Sequence, residues 1–447
     1  MIKPTNLPGF MELSPEKQII FNVIKERMEQ VFRSHGFYPM DNPVMEKTEI
    51  LLAKGGGETE KQVYRFDKGD TDITLRYDLT VPLAKYVAMN YGTLAFPFRR
   101  FQIGKVYRGE RNQRGRFREF YQCDIDVIGD GELSVINDAE VPSIMCEVFD
   151  SIGLSDYVIR LNNRKVLSGI FEMFDVSQYK EETLRTIDKL EKIGRGEVVR
   201  LLGEIGVTSD KANAILDILA FEGSTDETLD MLRGLENQSE TFEKGVEELS
   251  TVVKYMKLFG VNEKNYAVDL SIARGLDYYT GTVYETCFLP KPEIGSICSG
   301  GRYDDLAGYF TDKKLPGVGM SIGLTRLFFI LSEYGYLSDE LGSPVDVLVL
   351  PMTEDKEKAA EVAALLRREG MSVQIYLEDK KFKKKMSYAD KLAAPYVIII
   401  GEDEIAEGKV SLKNMKTGEQ STVTPDELMG VMAEYKAGKK ASPIKLG

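Results

Sequence analysis

The sequence predicts an α+β fold that is followed by a second, smaller α/β domain. Strand-like runs recur in the first part of the chain, at 63–66, 73–77, 98–107 and 119–128. Only polar turns, and no long crossover helices, separate these runs, which favours an antiparallel sheet with helices packed on it. Near the end of the chain, apolar strands alternate with amphipathic helices, which is typical of a mainly parallel sheet covered on both faces.

The first element is an amphipathic helix, predicted over residues 14–35. Ser14 can cap its N-terminus, and Pro15 suits the first helical position. Apolar side chains then follow at helical spacing: Ile19, Ile20, Val23, Ile24, Met28, Val31 and Phe32. The stretch GFYPMDNPVME continues from the helix as extended chain.

The middle of the chain has a different texture. Residues 179–256 are dominated by Glu, Lys, Leu and Ile at helical spacing, so we expect a separate helical insertion there. Strand character returns at 266–272 and 282–289, and a further helix is predicted from Gly323.

The segment GYLSDELGSP (335–344) is a predicted linker. Beyond it, the apolar runs VDVLVLP, VQIYL and YVIIIG are separated by a helix over 354–369 and a short Lys-rich helix, which gives a βαβαβ series. The predicted domain limits are 1–165, 166–256, 257–335 and 344–447.

Composition excludes several classes of protein. The 447 residues include 58 basic and 71 acidic side chains, for a net charge of −13, which argues against indiscriminate coating of nucleic acid. With one histidine, His35, and no CxxC pair, a zinc finger and a Ser-His-Asp triad are excluded. No run reaches the ~18 apolar residues of a membrane span, and no targeting pattern begins the chain. We therefore expect a protein of the reducing cytoplasm, with no membrane partner and no bound metal cage.

A basic strip stands out within this acidic chain. The stretch from Phe96 to Phe120 contains eight basic side chains and only two acidic ones. The basic residues are Arg99, Arg100, Lys105, Arg108, Arg111, Arg114, Arg116 and Arg118. A solvated, salt-bridged surface is one interpretation. The alternation of this strip with apolar residues favours another, in which part of it lines a sheet and binds a polyanion.

Within this strip, KVYRGERNQRGRFREFYQCDID is the most informative stretch. Arg108 and Glu110 lie two apart on a predicted strand and so share one face. They could form a simple cross-strand ion pair, or they could grip a phosphate and accept the amino group of an adenine. On the return strand, Phe120, Gln122, Asp124 and Asp126 share one face. An aromatic ring, an amide and two carboxylates together indicate a pocket for a small charged molecule.

One glycine pattern is not accepted as a nucleotide-binding motif. GVGMSIG (317–323) approaches the dinucleotide fingerprint, but its third glycine is one position late. It also stands near the end of a domain, whereas the fingerprint opens a first βαβ unit.

Taken together, these stretches resemble the class II aminoacyl-tRNA synthetases, and specifically the histidyl-tRNA synthetase family. GFYPMDNPVME resembles motif 1, FRRFQIGKVYRGE…GRFREFYQCDID resembles motif 2, and GVGMSIGLTRL resembles motif 3. RGLDYYTGTVYE (274–285) and SGGRYDDL (299–306) resemble the two histidine-specific signatures. The resemblance implies an antiparallel six-stranded catalytic sheet, a C-terminal anticodon-binding domain and a homodimer formed through motif 1.

The resemblance also implies roles for single residues. Arg108 would hold the α-phosphate and the substrate carboxylate, Glu110 the adenine amino group, and Phe120 would stack on the adenine. Arg326 would lie on the other side of the adenine, towards the γ-phosphate. Arg274 would act with Arg108 as a catalytic cation, because charge accumulates on the α-phosphate in the transition state. Mg²⁺ is implied with ATP, although no motif identifies its ligands.

For the amino acid, the resemblance implies that Asp78, Leu79 and Thr80 meet its amino end, with help from Gln122. Asp126, Tyr278 and Tyr279 would read the imidazole, since a carboxylate accepts its N–H and a phenol donates to its bare nitrogen. Arg108 and Arg274 would complete this set.

For tRNA, the resemblance points to the motif 2 loop, with Arg111, Asn112, Gln113, Arg114 and Arg116. The basic helix KKFKKKMSYADK (380–391) could bind the anticodon or could be a solvated face. The implied activity is activation of L-histidine with ATP, followed by its transfer to tRNA-His. The alternative is a non-catalytic, synthetase-like regulatory subunit of ATP phosphoribosyltransferase.

Overall fold

The computed structural model describes residues 1–53, 58–110, 114–187, 189–272, 279–338, 343–438 and 443–444. The chain divides into two compact units, which consist mainly of Glu26–Gly335 and Tyr336–Lys445. Met1–Met11 groups with the first unit and Glu12–Lys25 with the second. The sequence predicts four segments, whereas this division gives two units. The four predicted domain limits therefore stay predictions.

A large mixed sheet organises the first unit. The strands of this unit are β1 (Tyr38–Pro39), β2 (Met45–Lys47), β3 (Arg65–Lys68), β4 (Thr71–Leu75), β5 (Phe98–Tyr107), β6 (Glu119–Ile128), β7 (Tyr157–Asn163), β8 (Tyr266–Val268), β9 (Thr282–Phe288), β10 (Ser296–Tyr303) and β11 (Gly317–Gly323). The large sheet has the order β1-β5-β6-β11-β10-β9-β7-β8, and β2, β4 and β3 form a small separate sheet.

The predicted α+β class is confirmed, but the large sheet has eight strands where six are predicted. Its six central strands are antiparallel, from β5 to β7 in sheet order. The two additional strands lie at the edges and pair in parallel, β1 with β5 and β8 with β7. They have two and three residues, too few for an alternating pattern to be recognised in the sequence.

Helices precede, separate and follow these strands along the chain. In chain order they are α1 (Pro15–Ser34), α2 (Thr48–Leu51), α3 (Glu58–Gln62), α4 (Thr80–Asn90), α5 (Ile136–Ile152), α6 (Arg164–Met173), α7 (Lys180–Ile187), α8 (Leu190–Ile193), α9 (Arg195–Glu204), α10 (Ser209–Leu219), α11 (Thr225–Arg233), α12 (Glu240–Leu258) and α13 (Leu324–Glu333). The predicted helix over 14–35 is confirmed by α1, and the helical texture of 179–256 by α7 to α12. Among the described residues, no helix is both long and apolar enough to cross a membrane.

The packing of α6 on α12 explains one helical glycine. A Cβ placed on Gly169 of α6 would lie 2.5 Å from the Cα of Phe242 on α12, closer than side chains approach a backbone. Phe242 itself is fully buried. The backbones of the two helices therefore approach each other closely at this point, and only glycine leaves enough room.

A charged pair is buried between α5 and the large sheet. Asp138 of α5 accepts two hydrogen bonds from Nε of Arg302 on β10, each of 3.0 Å, and one of 2.6 Å from Nη2. Thr282 on β9 donates to the same carboxylate at 2.8 Å. Because a buried guanidinium is stable only with well-placed acceptors, this cluster fixes α5 against β9 and β10.

The second unit contains a five-stranded sheet and four helices within its described part. The strands are β12 (Val347–Pro351), β13 (Val373–Ile375), β14 (Tyr396–Ile400), β15 (Val410–Asn414) and β16 (Gln420–Val423). The helices are α14 (Glu357–Arg368), α15 (Phe382–Leu392), α16 (Glu402–Glu407) and α17 (Pro425–Gly438).

The predicted βαβαβ series is present in this unit as β12, α14, β13, α15 and β14, but the sheet as a whole is mixed, so a mainly parallel sheet is not confirmed. β12 pairs in parallel with both β13 and β14, but β14–β15 and β15–β16 are antiparallel. The last two strands form a hairpin, which needs no crossover helix. Gln420, Ser421 and Thr422 on β16 are exposed, so this strand lacks the continuous apolar run that marks the parallel ones.

Removing Asp138 should destabilise the first unit strongly. Asp138→Ala leaves Arg302 buried without its carboxylate, so we expect a loss of about 3–5 kcal/mol in the free energy of unfolding. Urea denaturation followed by circular dichroism measures this loss. Asp72→Ala is the matched control, because Asp72 pairs with Arg65 at the surface, and its midpoint should stay close to wild type. Equal midpoints for the two variants would contradict the role given to the buried pair.

Candidate active site

The polar pocket predicted from β6 is built from cross-strand rows of the large sheet. Asp126 pairs with Arg100 on β5 and Gly319 on β11, and Asp124 pairs in the same way with Gln102 and Ser321. Residues directly opposite each other in paired strands share a face, so each row presents its side chains to one side of the sheet. On the other face of β6, Cys123, Ile125 and Val127 are fully buried.

An ion pair holds the first row together. Arg100 is 0% exposed, and its Nη2 lies 2.8 Å from Oδ2 of Asp126. The same nitrogen donates to the carbonyl of Leu79 at 3.0 Å. The hydroxyl of Tyr303 donates to Oδ1 of Asp126 at 2.7 Å. One oxygen of this carboxylate therefore accepts a hydrogen bond from Tyr303, and the other forms an ion pair with Arg100.

Arg100 and Tyr303 are site residues that no sequence pattern predicts. Arg100 lies in FRRFQ and Tyr303 in SGGRYDDL. Their shared contact with Asp126 depends on the register of β5, β6, β11 and β10. The sequence contains no local signal for that register, because the three residues are far apart along the chain.

Asp78 lies in the turn before α4, next to Leu79 and Thr80. Its Oδ1 accepts from the backbone N–H of Val81 at 3.2 Å, so the carboxylate caps the start of the helix. Burial raises the pKa of Asp78 to about 6, against the opposing effect of Arg108 and Arg100. The predicted amino-end residues Asp78, Leu79 and Thr80 therefore adjoin the ion pair of Arg100 with Asp126.

Burial also raises the pKa of the two carboxyl groups on β6. The pKa of Asp124 rises to about 7, with Arg100 lowering it and the charges of Asp126 and Asp78 raising it. The pKa of Asp126 is raised by burial too, although Arg100 and Tyr303 oppose this. Three carboxyl groups thus influence one another around a single fully buried guanidinium.

Arg108 is not part of a strand, which corrects the prediction that Arg108 and Glu110 share a strand face. β5 ends at Tyr107, although the backbone N–H of Arg108 still bonds to the carbonyl of Arg118 at 2.9 Å. The Arg108 side chain donates from Nε to the Tyr77 carbonyl at 2.9 Å. Its guanidinium carbon lies 5.3 Å from the ring centroid of Phe120. The structure therefore brings two of the predicted ATP-binding residues together.

The other two predicted ATP-binding residues also lie near each other. Glu110 forms a 3.0 Å ion pair with Arg116. Arg326, in the first turn of α13, donates to the carbonyl of Ile294. Its pKa is lowered first by burial and then by Arg116, while Glu110 opposes this effect. The charges of Glu110 and Arg116, at the described end of the motif 2 loop, therefore act on Arg326 of motif 3.

Some of the remaining predicted residues have contacts in the described part of the chain, and the others lie outside it. Gln122 donates to Oγ of Ser321 at 2.9 Å, so it lies beside the row of Asp124. Tyr279 packs over Gly301, where a Cβ would lie 2.8 Å from its ring. Arg114 pairs with Glu333 of α13. Arg274, Tyr278, Arg111, Asn112 and Gln113 lie outside the described residues.

Comparison with known proteins agrees with this geometry. A family model described as histidyl-tRNA synthetase matches residues 9–327, and one described as an anticodon-binding domain matches residues 346–435. A histidine–tRNA ligase from Clostridium tetani is 54% identical over 433 residues, which are 97% of this chain and 98% of that protein.

Solved structures give the same picture. The histidyl-tRNA synthetase from Nostoc sp. PCC 7120 superposes with a TM-score of 0.89 at 38% identity, covering 97% of this chain and all of that one. A Bacillus halodurans protein, titled an ATP phosphoribosyltransferase regulatory subunit/histidyl-tRNA synthetase, has a TM-score of 0.74. It covers 89% of this chain and 99% of its own, but at 20% identity it shows a shared fold alone. The family model covers more than half of the chain and the 54% identity extends over 97% of it, so the chain belongs to the histidyl-tRNA synthetase family.

Proposed function

We propose that this protein is a histidine–tRNA ligase. It activates L-histidine with ATP to give histidyl-adenylate and pyrophosphate, and then transfers histidine to the 3′-terminal adenosine of tRNA-His. The observation that carries the proposal is the joint arrangement of Arg108 beside Phe120 and of buried carboxylates along β6. That arrangement occurs in a chain 54% identical to a relative named histidine–tRNA ligase.

In the first step, a carboxylate oxygen of histidine attacks the α-phosphorus of ATP, and the bond to the pyrophosphate oxygen breaks. Negative charge grows on the equatorial oxygens, so a fixed guanidinium accelerates the step. We assign this role to Arg108, whose Nε is held by the Tyr77 carbonyl. Phe120 stacks on the adenine, and Arg326 lies on the other side. Arg274, the second predicted catalytic cation, stays a prediction.

In the second step, a hydroxyl of the terminal adenosine attacks the carbonyl carbon of the adenylate, and AMP leaves. No side chain of the protein becomes covalently attached in either step. Recognition of histidine falls to Asp78 for the ammonium group and to Asp126 and Tyr279 for the imidazole. The Arg100 cation favours the ionised form of Asp126 against burial, so this carboxylate can accept the imidazole N–H through a remaining lone pair.

Mg²⁺ is proposed as a companion of ATP. The described residues contain no group of three carboxylate, histidine or cysteine side chains that could hold a metal ion. This donor set does not fit a metal cage within the protein. Mg²⁺ is usually bound through substrate phosphates and one or two carboxylates, and we derive no step through it.

The tRNA is proposed to contact both units. In the first, Arg114 and Arg116 lie at the described end of the motif 2 loop, although each pairs with a carboxylate. In the second, exposed lysines surround the start of α15: Lys380, Lys381, Lys383 and Lys384. Lys385 is not available to RNA, because it is buried and donates to the carbonyl of Pro351. The basic run is therefore partly structural.

We propose that two copies of the chain associate through the motif 1 segment. β1 forms an edge of the large sheet and exposes Tyr38, which is 65% accessible. Met45 on β2 is 55% accessible. Large apolar side chains this exposed beside a sheet edge favour burial by a partner chain.

The alternative of a regulatory subunit is not adopted. The chain retains Arg108, Gln122 and Arg326, and residues 346–435 match an anticodon-binding model. A cytoplasmic location stays a prediction, and the four cysteines, all buried thiols, are compatible with it.

Histidine should drive exchange of pyrophosphate into ATP. We expect radiolabelled pyrophosphate to enter ATP only when L-histidine is present, and tRNA-His to be charged with histidine in a second assay. Omission of histidine and replacement by other amino acids are the controls. Exchange without charging would place the failure on the tRNA side, whereas absence of both would reject the proposal.

Arg108→Lys should impair adenylate formation. Lysine keeps the charge but loses the planar set of donors, so we expect the exchange rate to fall about 100- to 1,000-fold. Arg200→Lys is the matched control, since Arg200 pairs with Glu197 and Glu204 at the surface of α9, and its rate should equal that of wild type. Pyrophosphate exchange under saturating histidine measures both. Equal rates for the two variants would remove Arg108 from the mechanism.

The wild-type protein should sediment as a dimer of about 100 kDa, twice the chain mass of 50.3 kDa. Tyr38→Asp should shift it towards the monomer, because the substitution places a charge in the proposed interface. Tyr309→Asp, at an equally exposed tyrosine outside motif 1, should remain dimeric. Analytical ultracentrifugation distinguishes these species, and a monomeric wild type would refute the motif 1 interface.

A further inference from the structure

Asp124 is a buried carboxylate of the pocket that takes no part in the proposed steps. It lies between Gln122 and Asp126 on β6 and is 2% exposed. Its Oδ1 is buried and has no hydrogen-bond partner within the described part of the chain. Because an unsatisfied buried acceptor is unfavourable, such an atom calls for an explanation, and a bound donor is one.

The neighbouring carboxyl groups are better supplied with partners. Oδ1 of Asp126 accepts a hydrogen bond from Tyr303 and Oδ2 forms an ion pair with Arg100, so both of its oxygens have a partner, whereas Asp124 interacts with the Ser321 hydroxyl but has no partner for Oδ1 among the described residues. Asp78 has the Val81 N–H on Oδ1. Asp124 therefore offers the incoming substrate an oxygen that no described donor of the pocket occupies.

The charges of the pocket indicate what kind of donor is missing. Arg100 forms its ion pair with Asp126, and the described residues give neither Asp78 nor Asp124 an ion-pair partner of its own. Arg108 is assigned to the substrate carboxylate and phosphate. Two carboxylates thus remain for a ligand cation. The α-ammonium of histidine is such a cation, whereas its imidazole is neutral above neutral pH.

We infer that Asp124 accepts a hydrogen bond from the α-ammonium group of histidine, together with Asp78, and so determines specificity for an amino acid. This inference rests on the proposed function. The position of Asp124 agrees with it, since the residue lies between Gln122, predicted at the amino end, and Asp126, predicted at the imidazole. Binding of the cation next to Asp78 and Asp124 should also release protons near neutral pH.

The test compares Asp124→Asn with wild type in pyrophosphate exchange. We expect the KM for histidine to rise at least tenfold, with the KM for ATP changed less than twofold. Asp150→Asn, the same chemical change on α5, should leave both constants unchanged. Wild type is measured first: if it shows no histidine-dependent exchange, the proposed function fails, and that failure is distinct from an unchanged KM in the variant.

Two inhibitors show which part of histidine Asp124 contacts. Histidinol keeps the amino group, whereas 3-(imidazol-4-yl)propionate keeps the ring and the carboxylate but lacks the amino group. We expect Asp124→Asn to raise the inhibition constant of histidinol at least tenfold and to change that of imidazolepropionate less than twofold. Equal weakening of both inhibitors, weakening of imidazolepropionate alone, or no weakening of either would overturn the inference.

Thermal unfolding excludes a folding defect as the cause. The pKa of Asp124 is raised from its ordinary value of 3.8 to about 7 by burial, so between these values the unfolded chain loses this proton and the folded chain keeps it. Wild-type stability therefore decreases with rising pH across this window, and Asp124→Asn escapes this decrease. The Tm of the variant minus that of wild type should grow from pH 4 to pH 7 and then level off. A variant less stable than wild type at pH 8 would contradict this account.

Discussion

The ion pair between Arg100 and Asp126 is the interaction on which the pocket depends. Moving a guanidinium out of water is unfavourable by several kcal/mol unless its acceptors are well placed. Nη2 of Arg100 meets acceptors on two different elements, the carboxylate of Asp126 on β6 and the carbonyl of Leu79 before α4, while Nε and Nη1 have no hydrogen-bond partner among the described residues. Since Leu79 follows Asp78 directly, the same side chain sets the position of Asp78 relative to the strand that carries Gln122. One buried cation thereby connects the proposed amino-end group with the proposed imidazole reader.

The pocket around Arg100 lacks partners for some of its buried carboxyl groups within the described part of the chain, in contrast to the cluster of Asp138 and Arg302 on the other side of the sheet. Around Asp138, both carboxylate oxygens accept hydrogen bonds, from the Arg302 guanidinium and the Thr282 hydroxyl, and Asp304 lies 3.9 Å from the same guanidinium. In the pocket, three carboxyl groups share the field of Arg100, and burial holds the pKa of Asp78 near 6 and that of Asp124 near 7. Unbalanced burial of this kind lowers stability, and it is expected where a ligand completes the site. The contrast separates a structural cluster from a binding one within a single sheet.

The sequence predicts those parts of this architecture that depend on local periodicity. The helix over 14–35, the helices of 179–256 and the alternation along β6 follow from the spacing of apolar residues. Strands of two or three residues, such as β1 and β8, carry no such signal, and neither does β16, whose first three residues are exposed. The partners of Asp126 depend on strand register, which brings together residues 26 and 177 positions apart along the chain. Lys385 shows the same limit, since its sequence neighbours are exposed lysines and its own burial follows from tertiary packing.

Strand register also explains two glycines that the sequence leaves ambiguous. Gly301 and Gly319 pair directly across β10 and β11, in the row of Asp126. A Cβ on Gly319 would lie 2.2 Å from Oδ1 of Asp126, and one on Gly301 would lie 2.8 Å from the ring of Tyr279. Any larger residue would displace the side chains assigned to the imidazole. The glycines of GVGMSIG therefore resemble a dinucleotide-binding pattern only superficially. Because Gly301 and Gly319 have no side chains, they leave room in the pocket for the Asp126 carboxylate and the Tyr279 ring.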